Sequence, residues 1–88
     1  MGVSIILDGK NISPGWRSKM HGLLIEGFGS GTVRLDTTDI EELERLRDNQ
    51  RKGEDPPPFD WAQDIADAFD KIIARIREKG VVHVDCVC

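Results

Sequence analysis

His83 and Asp85 are the residues whose types and spacing come nearest to a catalytic arrangement in this sequence. They lie two positions apart in a valine-rich segment, so on a strand both side chains would point to the same face. A carboxylate beside an imidazole can orient it as a general base, and the nucleophile would have to be Ser13, Ser18 or Ser30. None of these serines lies in the same segment, so a small hydrolase built around this pair is our third hypothesis.

The cysteines Cys86 and Cys88 are the strongest candidate metal ligands, with His21 and His83 as the other soft ligands. Structural zinc sites usually draw short-spaced ligand pairs from two segments, whereas this chain has one such pair. On a strand, His83 would also point away from both thiols. We therefore predict no metal and no cofactor, and we expect thiols that stay reduced in the cytoplasm.

A cationic segment with one aromatic side chain, Trp16, Arg17 and Lys19, follows the break at Pro14 and Gly15. An aromatic ring among cations can stack on a base while the cations neutralise a phosphate. The second hypothesis is therefore a homo-oligomer that sequesters a nucleotide or another small ligand through this loop. Two other interpretations stay open: a Trp16 anchored on the sheet, and a protein-binding hot spot, where Trp and Arg are common.

The charge of the chain is unevenly distributed around a net value of −4. Residues 1–35 carry a net charge of about +2, whereas residues 36–79 carry about −5. An overall negative balance argues against nucleic acid as the partner, because neutralised phosphates supply most of that affinity. It favours a larger protein with a basic surface. No apolar run reaches the roughly 18 residues of a membrane span, so we expect no membrane partner.

Carboxylates on two predicted helices are our candidate partner-binding residues. On the second helix, Asp60, Asp64 and Asp67 fall on one side of the axis, with Asp70 further round. Glu41 and Glu44 of the first helix add to this acidic half. An ordinary solvated helix face would have the same composition. A rigid row of carboxylates can nevertheless imitate a row of phosphates to a basic cleft.

The N-terminal region, residues 1–36, is predicted to be β-hairpin structure. Residues 3–7 have strand propensity, and Asp8-Gly9 is a strong two-residue turn signal that leads into a return strand over 10–13. Residues 16–20 are predicted as a loop, and residues 22–28 and 32–36 as strands that pair with each other. The glycine-rich connection between them lacks the third glycine of a dinucleotide fingerprint, because Thr32 stands there, so we predict a turn.

Two helices and a strand complete the prediction. Residues 38–52 form a surface helix with a narrow apolar stripe, capped by Thr38 and Glu41 and paired through Glu41 and Arg45. Three prolines make residues 53–59 a stiff linker. Residues 60–79 form the long core helix, because apolar residues recur on a broad face at helical spacing. Residues 81–88 form the last strand, with Val82, Val84 and both cysteines facing the core.

We thus predict one α+β domain with a mostly antiparallel sheet of four to five strands, one long helix packed on a face and a second, more exposed helix. The first hypothesis for function is a non-enzymatic protein that binds and inhibits a larger protein through its acidic helical surface. A fold this small buries only about 60–65% of the surface that its unfolded chain exposes, so self-association is a further expectation. In size and charge the chain is similar to small acidic inhibitors of phages and mobile elements, such as anti-CRISPR, immunity and antitoxin proteins; no sequence motif supports that likeness.

Overall fold

A computed structural model describes residues 3–15, 17–29, 31–52 and 60–87 of the chain. Within them the fold is α+β, as predicted, with a four-stranded antiparallel sheet and three α-helices. The strands are β1 (Ser4–Leu7), β2 (Lys10–Asn11), β3 (Thr32–Asp36) and β4 (Val81–Val87). The helices are α1 (Arg17–Phe28), α2 (Ile40–Lys52) and α3 (Asp60–Lys79). In these residues no helix is both long enough and apolar enough to cross a membrane. The predicted linker over 53–59 lies outside the described residues.

The sheet has the strand order β2-β1-β4-β3, so the last strand in the sequence lies inside the sheet. The predicted hairpin at the start is confirmed: Asp8 and Gly9 both have positive φ, 48° and 87°, and connect β1 to β2. β2 is shorter than predicted, because its ladder contains only Lys10 and Asn11. Beyond it, the chain stays beside β1 through the Ile12 N–H, which donates to the Ile5 carbonyl at 2.9 Å.

One face of the sheet packs against the helices. Leu7 and Val33 flank Val84 across the strands, and Leu35 lies opposite Val82, with all except Val33 buried. The predicted inward face of β4 is thus confirmed for Val82 and Val84. The helix residues of this core are Met20, Leu24, Leu43, Leu46, Ile65, Ala68, Phe69, Ile72, Ile73 and Ile76.

The predicted loop over 16–20 and the predicted strand over 22–28 are wrong, because residues 17–28 form α1. Its buried residues, Met20 and Leu24, are four apart, which places both on one side of a helix. Gly29 ends α1 with a φ of +99°, and its N–H donates to the Ile25 carbonyl at 2.9 Å. The predicted pairing of 22–28 with 32–36 is therefore wrong as well: β3 pairs with β4, with Leu35 opposite Val82. Trp16 lies outside the described residues.

The predicted cap of α2 at Thr38 with Glu41 is also wrong, because the cap lies two residues earlier, at Asp36. Its Oδ1 accepts the Thr38 N–H at 2.9 Å, and the Asp39 carboxylate accepts the Asp36 N–H at 2.9 Å. A 3-10 turn, Thr37–Asp39, then leads into α2. The Thr38 hydroxyl also donates to Oδ1 of Asp36 at 2.6 Å, and this bond is the largest cause of a lowered pKa at Asp36, followed by the bond from the Thr38 N–H. An aspartate can cap a helix as well as a threonine, so spacing alone did not decide between them.

Candidate functional site

His83 and Asp85 lie on the sheet face opposite the core, as their strand spacing predicts. His83 is exposed and lies opposite Arg34, and Asp85 lies opposite Thr32. The Thr32 hydroxyl donates to Oδ1 of Asp85, and in the described part of the chain no hydrogen bond joins Asp85 to the His83 imidazole. The carboxylate therefore binds the neighbouring strand and does not orient the imidazole.

Of the predicted nucleophiles, Ser13 and Ser18 lie in the described residues, and no hydrogen bond there joins either of them to His83. The hydroxyl of Ser13 accepts the Ile5 N–H at 2.9 Å, which ties the segment after β2 to β1. Ser18 is exposed on α1, and Ser30 lies outside the described residues. Within the described residues, no serine, imidazole and carboxylate are therefore hydrogen-bonded together as a catalytic site would need.

The cysteine and histidine positions form no metal-binding group in the residues that the structure covers. There, no cluster of three or more His, Cys, Asp and Glu side chains could hold an ion. Cys86 is half-buried and packs against the core from β4, and Cys88 lies outside the described residues.

The cationic segment proposed for a nucleotide begins α1 and is not a loop. Arg17 is the first residue of the helix and is exposed, and Lys19 is half-buried one position after Ser18. The aromatic side chain on which that hypothesis depended, Trp16, lies outside the described residues.

Arginines of α2 neutralise much of the acidic surface predicted on α3. Asp70 accepts a hydrogen bond from Nη1 of Arg47 at 2.8 Å and a second one from Arg51. Arg51 also lies 3.6 Å from the Asp67 carboxylate, and Arg77 of α3 donates to Glu44 of α2 at 3.3 Å. We call this row of contacts the α2–α3 ion-pair seam.

The ion-pair seam lowers the pKa of one of its carboxyls, that of Asp70. Burial alone would raise the pKa of Asp70, but the hydrogen bonds from Arg47 and Arg51 outweigh it and lower the pKa. The Arg47 side chain is only 18% exposed, so it lies largely between the helices. Asp70, Asp67 and Glu44 therefore hold α2 against α3, and a partner would have to compete with these arginines for them.

The sequence contained a signal for this seam. Leu43, Leu46 and Gln50 are buried at spacings of three and four, so the inward stripe of α2 continues into its polar half. Arg47 and Arg51 flank that stripe and therefore lie at the border with the next helix. The residues after Leu46 are polar, and their composition alone is typical of a solvated face. It therefore did not indicate the buried Gln50 or the contacts of Arg47 and Arg51 with α3.

Three of the predicted acidic residues lie outside the seam. Asp64 is exposed on α3 and makes no ion pair within the described residues. Glu41 is exposed in the first turn of α2, and the ion pair predicted for it is formed instead by Glu42 with Arg45. Asp60 begins α3, but its side chain lies outside the described part of the chain.

A groove runs along α3 beside the segment that follows the first hairpin, and Asp64 lies at one end of it. It consists of two adjoining clefts of about 240 and 330 Å³ that share Ile12 and Lys71. The residues that line this α3 groove are Leu7, Asp8, Lys10, Ile12, Ser13, Pro14, Gly15, Asp64, Asp67, Ala68, Lys71, Ala74, Arg75 and Glu78.

Side chains of both charges line the α3 groove. Asp64 and Asp67 line the cleft near the start of α3, and Lys71 lines both clefts. The other cleft is also lined by Lys10 and Arg75 and by the carboxylates of Asp8 and Glu78. Arg75 is already paired, at 3.3 Å from Asp8, whereas neither lysine makes an ion pair with any residue that the structure describes.

Comparison with models of known protein families, with curated proteins and with solved structures finds no match to this chain. In the α3 groove, the carboxylate of Asp64, which has no ion pair among the described residues, lies beside a concave surface. A separate cleft of about 380 Å³ on α1 is lined by Ser18, Lys19, Gly22, Leu23, Ile25 and Glu26.

Proposed function

We propose that this protein is a non-enzymatic binding module that captures a larger protein through a basic surface on that partner. The observation that carries the proposal is the position of Asp64. It is exposed at the mouth of the α3 groove without an ion pair among the described residues, while Asp67 and Asp70, further along the same helix, contact arginines of α2. An unpaired carboxylate beside a concave surface is available to a cationic side chain of a partner.

The rigidity of α3 supports this proposal. Ile65, Phe69 and Ile72 fix the helix on the sheet, and the ion-pair seam fixes α2 on the helix. A binding surface that is ordered before it meets its partner loses little conformational entropy on association. Asp64 is therefore held at the groove before any partner arrives.

Inhibition is the consequence that we propose for this capture. When the partner uses its basic surface to hold an anionic ligand, a carboxylate bound there excludes that ligand. We further propose that the protein acts in the cytoplasm, where a thiol such as that of Cys86 stays reduced.

The proposed contact involves fewer acidic residues than the sequence predicted. Asp64 is its central residue, with Glu41 and Asp60 as further candidates. Asp67, Asp70 and Glu44 belong to the seam, so they support the surface and do not themselves bind the partner.

The test is the charge reversal Asp64→Lys, with Glu26→Lys as the matched control. Glu26 is exposed on α1 outside the α3 groove, and its reversal changes the net charge by the same amount. Each purified protein is used as bait in a lysate of its own host, and the retained proteins are quantified by mass spectrometry. We expect wild type and Glu26→Lys to retain the same basic protein and Asp64→Lys to lose it, with unchanged thermal unfolding for all three.

Equal retention of the basic protein by Asp64→Lys and wild type would show that Asp64 does not contribute to the contact. Failure of the wild-type protein to retain any basic protein would reject the binding function itself.

A further inference from the structure

The cleft on α1, which we call the α1 cleft, is lined by residues of that helix alone among the described residues. A helix turns by about 100° per residue, so Gly22 lies on the side of α1 opposite Met20 and Leu24, which the helix buries in the core. The α1 cleft is therefore on the outward side of the helix, away from the sheet and from the α3 groove.

The α1 cleft has an open middle with apolar side chains next to it. Gly22 is exposed and provides no side chain, and a Cβ at this position would meet no atom within 4 Å. Leu23 and Ile25 line the cleft and are only half-buried. A helix surface with a gap beside protruding apolar side chains has the shape that packs against a second helix.

The two charged residues of the α1 cleft are placed so that the cleft is complementary to itself. Lys19 and Glu26 are seven residues apart, which puts them within about 20° of each other around α1 and about 10 Å apart along it. Their midpoint lies between Gly22 and Leu23. A second copy of α1, turned end to end about this midpoint, places its Glu26 opposite Lys19 and its Lys19 opposite Glu26. It also places Leu23 of each copy opposite Gly22 of the other.

Only one orientation of the second helix gives these contacts. A parallel α1 would place lysine opposite lysine and glutamate opposite glutamate, which is repulsive. The antiparallel arrangement has a two-fold axis, the commonest symmetry of protein dimers, in which the same patch of both copies forms the contact.

We propose that this protein forms a symmetric dimer in which two copies pack antiparallel through their α1 clefts, with a Lys19–Glu26 ion pair on each side of the two-fold axis. A single crossing of two helices of 12 residues is a small contact, so the dimer is weak and dissociates on dilution. This inference goes beyond the proposed function, because Asp64 lies on α3 and one copy of the chain is enough to capture a partner there.

Two charge reversals, Lys19→Glu and Glu26→Lys, test the inference. Sedimentation velocity of the whole protein at concentrations up to about 1 mM measures the Kd of self-association. Each reversal alone replaces both ion pairs by like-charge contacts, so we expect the Kd to rise about tenfold. An equimolar mixture of the two variants restores both pairs with their signs exchanged, so we expect it to form a heterodimer with a Kd close to that of wild type.

Lys52→Glu is the matched control for Lys19→Glu. Lys52 is exposed at the end of α2 and lines neither the α1 cleft nor the α3 groove, and its reversal changes the net charge by the same amount. It should keep the wild-type Kd. Thermal unfolding of dilute protein confirms that each variant is folded. Lys19→Gln replaces a Lys19→Glu variant that is not, and its mixture with Glu26→Lys then regains one of the two pairs.

Self-association of wild type, its weakening in both reversals and its return in their mixture support the inference. A wild-type protein that stays monomeric at about 1 mM would overturn it, as would reversals that leave the Kd unchanged. An equal weakening by Lys52→Glu would indicate an effect of net charge, and reversals that fail to complement each other would exclude the antiparallel contact; both results overturn the inference. In each of these cases, Asp64-dependent retention of a basic protein from lysate would leave the proposed function standing.

Discussion

Asp8 joins three parts of the molecule through a single residue. Its N–H donates to the His83 carbonyl at 2.9 Å, and its Oδ1 accepts the His83 N–H at 2.9 Å. Its Oδ2 accepts from Nε of Arg75 at 3.3 Å. The backbone N–H of His83 is the largest cause of a lowered pKa at Asp8, and Arg75 acts in the same direction. The hairpin turn, β4 and α3 therefore meet at this carboxylate.

Substitution of Asp8 should separate the loss of these bonds from backbone strain. We expect Asp8→Ala to lower the free energy of unfolding by about 2–3 kcal/mol, because it removes bonds to a charged group and places a side chain at a φ of 48°. Asp8→Gly should lose about 1 kcal/mol less, because glycine adopts that φ without strain. Urea unfolding measures both values. Equal losses would mean that the turn is unstrained, and no loss in either variant would mean that the carboxylate holds nothing.

Single residues show clearly where sequence reasoning succeeds. Asp8-Gly9 could be predicted because the turn conformation depends on two adjacent residues. The partners of Asp70 could not, because Arg47 and Arg51 are far from it in the chain and meet it only when α2 packs on α3. Which carboxylates stay available to a partner is therefore a tertiary property.

Among the secondary-structure elements, α1 is the helix that the sequence pattern did not predict. The segment contains Gly22 and Gly27, which disfavour a helix interior, and Ile25, which favours strands. The helical spacing of Met20 and Leu24 and a glycine just past the end were the available signals. By contrast, α3 and β4 were predictable because their patterns repeat over twenty and seven residues.

Glycine substitutions test α1 directly. A Cβ at Gly22 would meet no atom within 4 Å, and its φ is not positive, so Gly22→Ala should raise the free energy of unfolding by about 0.5–1 kcal/mol through helix propensity. Gly29→Ala is the control with the opposite sign: at a φ of +99° it should lower that free energy by about 1 kcal/mol. Denaturant titration gives both. A destabilised Gly22→Ala would contradict a helix at this position.

For the molecule as a whole, acid should lower the free energy of unfolding. The folded structure lowers the pKa values of the carboxyls of Asp8, Asp36, Glu42 and Asp70. A group with a lowered pKa binds fewer protons in the folded than in the unfolded state, so its contribution is fully present above the unfolded value and is lost as pH falls through the folded one.

We therefore expect the free energy of unfolding to be level down to about pH 5 and to fall progressively below about pH 4. Urea unfolding at a series of pH values measures this change. Asp70→Asn removes one of the responsible carboxyls, so its curve should fall less steeply than that of wild type. Stability that stays constant to pH 3, or rises, would contradict the assignment of these four groups.

The sequence was informative about the fold class and less so about the site. The alternation of β4 and the broad apolar face of α3 already required a sheet with a helix on it. The strand order and the α3 groove depend on how the hairpin, α1 and α3 pack against one another, and no local sequence pattern predicts this packing. The acidic residue that leads the proposed site, Asp64, was among those predicted, but only the packing of α2 distinguished it from Asp70.

The inner position of β4 in the sheet has a consequence for folding during translation. β1 and β3 each pair with this strand, which is translated after every other described element. While the ribosome is still reading the codons of α3, both earlier strands lack the neighbour that completes their ladders, and Ile5 and Leu35 lack their final cover. The sheet therefore closes only once residues 81–87 have left the exit tunnel, and until then the edges of β1 and β3 that pair with β4 have no strand beside them.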